Sequence, residues 1–307
     1  TSLGKALLKI ITYINTGNLA VLYDMVSGNK GSFSIDFVNE GFVLHRLTAN
    51  INVIASDVEI IYSSVKIEKM DSYEKCVAKL EDHTSEATAT MNSLKKLVGP
   101  VSYRFAYPEI ESSILLDDID RKVFLKTLRA VIGTLDPTLR EVTISRDLKD
   151  TFIIKRNNAE IIIQEGKLLN REILSSGTAE GIDVALFLAS MLAKDKTFYY
   201  CDEHFSYIQS DIEKRIFGLM LDRIANNEQL IFTTHNTDML DLNLPKHSYM
   251  FLRNKVEEGE CRVSAISASE ILKRNTDNIR NAVENDVFGS LPDDSLLDEL
   301  EMGWDDE

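Results

Sequence analysis

The chain has 307 residues, 44% hydrophobic and 27% charged, a length and composition that suit one large or two small globular domains. Its 34 basic and 49 acidic side chains give a net charge of −15, and ten of the acids lie in residues 284–307, where no Lys or Arg occurs. The remaining body is mildly acidic and lacks a dense basic run, which disfavours a dedicated nucleic-acid domain but is compatible with a local basic groove. No apolar run approaches the 18 or so residues that span a bilayer, so no membrane contact is expected. Three cysteines without metal-site spacing or a signal peptide predict a reducing, cytoplasmic location.

The first predicted element is an amphipathic helix. Apolar residues recur at helical spacing over residues 3–14, and residues 15–17 carry a carboxyl-end signal. In a phosphate-binding P-loop, G-x-x-x-x-G-K-[ST], a helix that opens like Thr1-Ser2-Leu3 comes directly after the Gly-Lys pair. On this interpretation Thr1 ligates Mg²⁺, Thr1 and Ser2 bind a nucleotide, and the glycines and lysine precede Thr1. The alternative is a chain boundary before an ordinary helix.

Antiparallel strands and amphipathic helices are predicted between this helix and the middle of the chain. The strands show apolar–polar alternation broken by turn residues, and the helices show apolar residues every three or four positions. These elements are a hairpin over residues 33–44, a strand at 58–62, one or two helices over 71–97, a helix over 116–135 and a second hairpin over 151–163. The order fits a larger lobe, which includes antiparallel sheet, interrupted by a modest helical lobe.

Residues 174–178, Leu-Ser-Ser-Gly-Thr, precede an apolar run at residues 181–192 that predicts a buried helix. Gly177 permits close backbone approach, and the amino end of the following helix directs partial positive charge at an anion. These features are compatible with a phosphate contact. The alternative is an ordinary loop with a helix N-cap.

Two acids follow the apolar residues 198–201, which predict a strand buried on both faces of a parallel sheet. Open α/β sheets bind ligands at the carboxyl ends of their strands. We assign Asp202 to Mg²⁺, which prefers one or two carboxylates plus substrate phosphates, and Glu203 to the water that attacks in phosphoryl transfer. The alternative is a strand end with two solvated acids.

A helix and a further strand follow these acids. Residues 210–213, Ser-Asp-Ile-Glu, predict a capping box with Ser210 at the N-cap, and apolar residues continue at four-residue steps. Residues 230–234 predict another buried strand with His235 at its end. In this order His235 is predicted to act as a catalytic switch residue, whereas a lone histidine at a strand end is more often structural.

Four segments, residues 174–178, 201–203, 206–209 and 233–241, resemble the signature loop, Walker B strand and histidine switch of ABC-type ATPases. The resemblance is to the AAA15 and overcoming-lysogenization-defect (OLD) group, which is related to SMC and RecF-like ATPase heads. It implies an α/β fold of the P-loop NTPase type, with a mixed sheet core, an antiparallel β subdomain and a helical signature lobe. It also implies ATP and Mg²⁺ as cofactors, and a homodimer or higher homo-oligomer that sandwiches ATP head to tail.

The resemblance also implies roles for individual residues. Ser175 and the Gly177 amide would contact a γ-phosphate bound by the neighbouring subunit. The implied site comprises catalytic Glu203 and His235, nucleotide-binding Thr1, Ser2, Ser175, Ser176, Gly177 and Thr178, and metal-binding Thr1 and Asp202.

Two departures from the family pattern affect this site. His204 and Phe205 follow the Walker B glutamate, where Asp or Pro is common. No glutamine precedes Gln164, so the Q-loop residue of transporter ATPases has no counterpart in the first half of the chain.

The motifs predict four parts: residues 1–66, the amino-terminal part of the ATPase lobe; 67–148, a helical lobe; 149–283, the carboxyl-terminal ATPase lobe; and 284–307, an acidic tail. By family analogy, the leading hypothesis is an ATP-hydrolysing switch or scaffold that controls a partner effector, a nuclease or toxin, in bacterial anti-phage defence. The alternatives are a DNA-repair or chromosome-associated ATPase that clamps DNA directly, a transporter subunit, and a scaffold that needs no hydrolysis.

Overall fold

The computed structural model describes residues 2–38, 41–82, 87–88, 95–96, 100–107, 114, 116–139, 141–156, 159–192, 197–257, 260–274, 276–292, 295 and 297–298. The chain divides into two compact units, Thr1–Gln209 with Arg215–Thr234, and Ser210–Lys214 with His235–Glu307. The four-part division stays a prediction. Within the described ranges, no helix is long and apolar enough to cross a membrane.

The described helices are α1 (Ser2–Thr16), α2 (Ala20–Tyr23), α3 (Tyr73–Asp82), α4 (Arg121–Leu135), α5 (Ser176–Ser190), α6 (Ser210–Leu221), α7 (Ala268–Ile271) and α8 (Ile279–Glu284). The described strands are β1 (Lys30–Val38), β2 (Val43–Asn52), β3 (Asp57–Lys66), β4 (Ala87–Thr88), β5 (Tyr103–Ala106), β6 (Glu141–Ile144), β7 (Thr151–Arg156), β8 (Ala159–Gln164), β9 (Lys167–Leu168), β10 (Phe198–Asp202), β11 (Gln229–Thr233), β12 (Met250–Glu257) and β13 (Glu260–Ser267).

A parallel sheet of order β11-β10-β5 carries the predicted acid-bearing strand. Tyr199, Tyr200 and Cys201 of β10 are at most 1% exposed, which confirms a strand buried on both faces. Because the three strands are parallel, their carboxyl ends meet at one side of the sheet, which we call the carboxyl edge. The antiparallel strands form separate sheets, so the described part of this sheet is parallel rather than mixed.

Helices cover both faces of the parallel sheet. On one face, Ile11 of α1 packs with Phe105, Tyr107 and Tyr200. On the other, Phe187 of α5 meets the Tyr199 ring edge-on, with centroids 5.9 Å apart. Helix α1 therefore lies on the Tyr200 face of the sheet, and α5 on the opposite face.

The predicted antiparallel hairpins are confirmed. Strands β1 to β4 form one sheet in sequence order, and Leu47 at its centre is fully buried. Strands β6 to β9 form a second antiparallel sheet, in which β7 and β8 are the predicted hairpin over residues 151–163. The alternation of apolar and polar residues along each strand determines which side chains face the core.

Two predicted helices are shorter than expected. Residues 116–135 contain a 3₁₀ turn, Leu116–Asp118, and α4 begins only at Arg121. The reason is Asp120, an extended N-cap whose carboxylate accepts hydrogen bonds from the backbone amides of Lys122 and Val123. Helix α3 ends at Asp82 and β4 follows, so one continuous helix over residues 71–97 is wrong. Residues 83–86, 89–94 and 97 of that prediction lie outside the described residues.

The capping box predicted at Ser210 is also wrong. Ser210 already belongs to α6, and Gln209 occupies the N-cap position without a side-chain hydrogen bond. The buried stripe of this helix is confirmed at Ile216 and Met220. The helix therefore forms because of its packing rather than its cap.

The second unit contains the antiparallel pair β12 and β13 with helices α7 and α8. Phe251 of β12 stacks on Phe288 with ring centroids 4.0 Å apart, and Ala268 and Val283 pack in the same cluster. The two strands pair antiparallel along their whole length, from Met250 with Ser267 to Glu257 with Glu260.

Candidate functional site

Asp202 is the last residue of β10 and lies at the carboxyl edge, with only 2% of its surface exposed. Thr233, its register partner in β11, donates from Oγ1 to Asp202 Oδ1 at 2.7 Å, and the Tyr200 hydroxyl lies 3.4 Å from the same oxygen. These donors offset the cost of burying a carboxylate. They also fix its orientation at the position predicted for the metal ligand.

Glu203 follows in a left-handed backbone conformation, with φ at 49°. Residues other than glycine rarely adopt this region, and such strain concentrates at functional sites. The Glu203 N–H donates to the Thr233 carbonyl at 3.1 Å, and the Glu203 carbonyl accepts from Ser206 Oγ at 3.0 Å. Glu203 is thus a half-buried acid at the carboxyl edge, and both its backbone N–H and its carbonyl are hydrogen-bonded.

The amino end of α1 lies against β10 near Asp202. A Cβ added at Gly4 would stand 2.5 Å from the Tyr200 ring and 2.7 Å from the Tyr200 hydroxyl, so only glycine permits this approach. Helix amino ends present unpaired N–H groups and partial positive charge, which suits phosphate. Ser2 begins the helix. Thr1 lies outside the described residues, so its role as a metal ligand stays a prediction.

Residues 174–178 form the start of α5. Ser175 is the N-cap: its Oγ accepts from the Thr178 amide at 3.2 Å and lies 2.8 Å from Thr178 Oγ1. The N-cap interpretation is therefore confirmed for this side chain. A hydroxyl donates one hydrogen bond and accepts two, so a capping serine can also contact an anion before the helix. Ser176 opens the helix, and the phosphate contacts of these residues stay predictions.

Two contacts join α5 to the loop after Glu203. A Cβ at Gly177 would lie 2.6 Å from the Tyr207 carbonyl oxygen, so the backbones touch. One turn further, Glu180 Oε2 accepts from the Tyr207 amide at 3.1 Å. We call these two contacts of the Tyr207 main chain, with Gly177 and with the Glu180 side chain, the Tyr207 junction. Since the Tyr207 ring itself is 70% exposed, the junction is formed by its main chain.

Buried ionisable groups lie behind the Tyr207 junction. Glu180 and His204 are at most 4% exposed, with Oε1 and Nδ1 3.8 Å apart. Among the described residues, His204 Nδ1 has no hydrogen-bond partner. Burial raises the pKa of Asp183 on the same helix, against the opposing influence of His204 and Arg171. Helix α5 thus carries two acids inside a mostly apolar environment.

His235 follows β11 by two residues and is an exposed member of the second unit. Its neighbour Asn236 caps the next turn by accepting from the Asp238 amide at 3.0 Å, and donates to Glu213 Oε2 at 2.6 Å. These bonds order the chain that carries His235. Its switch role stays a prediction.

The described part of the chain holds no group of three His, Cys, Asp or Glu side chains that could bind a metal by itself. Mg²⁺ does not need one, because a single carboxylate with water and substrate phosphates completes its shell. Asp202, fixed by donors to one oxygen and close to a helix amino end, fits that ligand set. The residues present are therefore compatible with a magnesium nucleotide.

Three residues of this region were not assigned from the sequence. Thr233 belongs to a segment that resembles the family, but its bond to Asp202 depends on the pairing of β10 with β11. Glu180 is an acid inside an apolar helix, a signal that was present in the sequence. Tyr107 at the carboxyl edge had no signal in the sequence, since its place depends on β5 pairing with β10.

No family model matches the chain, and no curated protein matches it. Among solved structures, it is similar to an SMC head bound to the C-winged helix domain of ScpA, with TM-score 0.50, 14% identity and 88% of each chain covered. It also matches an SMC head domain from Thermotoga maritima, with TM-score 0.42, 13% identity and 84% of each chain covered. The first likeness shows that the chain has a fold similar to that of an SMC head. Membership of the AAA15 and OLD group stays a prediction.

Proposed function

We propose that this chain is an ABC-type ATPase head that binds and hydrolyses ATP at the carboxyl edge. The observation that carries the proposal is the buried Asp202 carboxylate, oriented by Thr233 and followed by Glu203 in a left-handed conformation. The contact of Gly4 with Tyr200, which brings the amino end of α1 to the same edge, supports it. The SMC-head fold agrees with this placement.

The chain's own residues have distinct roles in this mechanism. Magnesium ATP supplies the γ-phosphoryl group and the charge neutralisation that phosphoryl transfer needs. Asp202 would hold the metal, with Thr1 as a second ligand and Ser2 beside the phosphates. Glu203 orients the attacking water and accepts its proton. His235 would contact the reacting phosphate as the switch residue.

A second copy of the chain completes the site in this proposal. Ser175, Ser176, Gly177 and Thr178 at the amino end of α5 would contact the γ-phosphate bound by the partner. The Tyr207 junction supports such coupling, because it ties this helix end to the loop that follows Glu203 in the same chain. In one protomer, the loop after Glu203 and the segment proposed to contact the partner's nucleotide are therefore in direct contact.

We extend the proposal to a nucleotide-driven switch or scaffold that controls a partner effector, a nuclease or toxin, in anti-phage defence. The support is the resemblance to the AAA15 and OLD group, and a solved neighbour is itself bound to a domain of another protein. The alternative is a chromosome-associated ATPase that clamps DNA. Two experiments separate them. In affinity purification of the Glu203→Gln protein with ATP or ADP, a nuclease or toxin that copurifies only with ATP supports the first. In turnover assays of the wild type, stimulation by duplex DNA supports the second.

Three variants test the ATPase itself. Glu203→Gln should bind magnesium ATP as the wild type does and lose at least about a hundredfold in turnover, because the water loses its base. Asp202→Asn should weaken magnesium-dependent nucleotide binding. Asp222→Asn, an exposed acid that follows α6, is the matched control and should change neither. Wild-type protein that binds no ATP, or a Glu203→Gln protein with full turnover, would refute the proposal.

A further inference from the structure

A buried hydroxyl at the carboxyl edge has no hydrogen-bond partner among the described residues. It belongs to Tyr107, the residue after β5, which is 4% exposed. A hydroxyl taken out of water without a partner costs free energy, and natural proteins leave few such groups. An unsatisfied group beside a candidate site therefore points to a ligand atom that would complete it.

The strand register places Tyr107 level with Asp202. The last register pair of β5 and β10 joins Ala106 to Cys201, and Tyr107 and Asp202 are the next residues along each chain segment. The Tyr107 ring lies 5.9 Å from that of Phe105 and 6.0 Å from that of Tyr200, between centroids. These three rings lie in the cluster that α1 covers.

Tyr200 connects this aromatic layer to the carboxylate. Its ring stacks on Phe105 at 5.3 Å between centroids, and its hydroxyl lies 3.4 Å from Asp202 Oδ1. Gly4 at the amino end of α1 touches the same hydroxyl end of the ring. Tyr107 therefore shares one face of one sheet edge with the proposed metal ligand and the proposed phosphate-binding helix end.

We propose that the Tyr107 hydroxyl is a ligand-contacting residue of this site, donating a hydrogen bond to an acceptor oxygen of bound magnesium triphosphate. The inference rests on the proposed function and adds a residue that the sequence did not supply. Burial, with a smaller contribution from Tyr200, raises the pKa of Tyr107 well above its ordinary value, so the hydroxyl keeps its proton. A protonated phenol beside a polyphosphate is a hydrogen-bond donor.

The competing explanation is a hydroxyl buried for packing alone. In that case Tyr107→Phe removes an unsatisfied group and leaves nucleotide binding unchanged. If the hydroxyl serves the ligand, the same variant keeps the stability of the nucleotide-free protein but loses affinity. Tyr103→Phe is the matched control, because Tyr103 lies at the opposite end of the same strand.

The experiment measures the Kd of a fluorescent ATP analogue with Mg²⁺, the ATP turnover and the urea midpoint without nucleotide, all on the full chain. Loss of a hydrogen bond to a charged acceptor should weaken binding by Tyr107→Phe about 10- to 100-fold, with Tyr103→Phe like the wild type. Equal affinity and turnover in wild type and Tyr107→Phe overturn the inference and leave the proposed function standing. A wild type that does not bind the analogue overturns both.

Discussion

Replacing Gly177 by alanine tests whether the amino end of α5 is locked against the loop that carries Glu203. The new methyl would stand 2.6 Å from the Tyr207 carbonyl oxygen, a backbone atom that cannot rotate away. Gly133→Ala in α4 is the matched control, because a Cβ there meets no atom within 4 Å. Both changes put alanine for glycine within a helix.

The magnitude follows from two opposing effects. Alanine for glycine stabilises a helix by about 0.5–1 kcal/mol, and this gain is shared by both variants. Forcing a methyl into close-packed atoms costs about 1–3 kcal/mol, and only Gly177→Ala incurs it. The free energy of unfolding of Gly177→Ala should therefore lie about 1–3 kcal/mol below that of Gly133→Ala.

The assay is urea unfolding of both variants without nucleotide, followed by ATP turnover. Gly133→Ala should keep wild-type turnover, while Gly177→Ala should lose it because the Tyr207 junction shifts the Glu203 loop. Stabilities equal within about 0.5 kcal/mol, with turnover intact in both variants, would show that the junction is not tight.

Three further perturbations test other parts of the structure. Thr233→Val removes a hydrogen-bond donor to Asp202, so the free energy of unfolding, measured with urea, should fall by about 1–3 kcal/mol. Magnesium titration should show that ATP binding needs a higher Mg²⁺ concentration. Unchanged values in both assays would show that Thr233 is not part of the site. Burial raises the pKa of Asp183 above its ordinary value of 3.8, so the folded protein holds a proton that the unfolded chain has released, and stability falls as the pH rises from 3.8 towards the folded-state pKa. Urea midpoints of Asp183→Asn should therefore gain on the wild type as the pH is raised above 3.8, and a constant difference would contradict the shift. Phe288→Ala should lower the free energy of unfolding of the second unit by about 3–5 kcal/mol, because a fully buried ring stacked on Phe251 is lost. An unchanged melting temperature would contradict that packing.

The spacing of hydrophobic residues predicted the elements that have a regular pattern of burial. The strand ending at Asp202 was predictable because apolar residues on both faces have few alternatives to a buried parallel strand. The hairpin of β7 and β8 was predictable from the isoleucines of its two strands and the pair of asparagines between them in the sequence. The same reasoning was wrong at residues 116–120. There the Asp120 carboxylate accepts hydrogen bonds from amides of the following turn, so the helix begins only after Asp120.

The candidate site was predictable only where one segment carried the chemistry. Asp202 and Glu203 are adjacent, so a strand end was enough to propose them. Thr233 and Tyr107 reach the same edge from strands far away in sequence, and only strand register reveals that they flank Asp202. The helix after Ser175 was predicted over residues 181–192, whereas it begins at Ser176, directly after the Ser175 cap on the Thr178 amide.

Light scattering of the Glu203→Gln protein measures directly whether two copies close around ATP. With magnesium ATP its mass should double, and with ADP it should stay that of a monomer. Adding Ser175→Arg should restore the monomer mass without abolishing nucleotide binding, since in the proposed sandwich Ser175 would contact the phosphate bound by the partner and not the nucleotide bound by its own chain. A mass that is the same with saturating ATP and ADP, or a dimer that survives Ser175→Arg, is incompatible with a nucleotide sandwiched between two protomers.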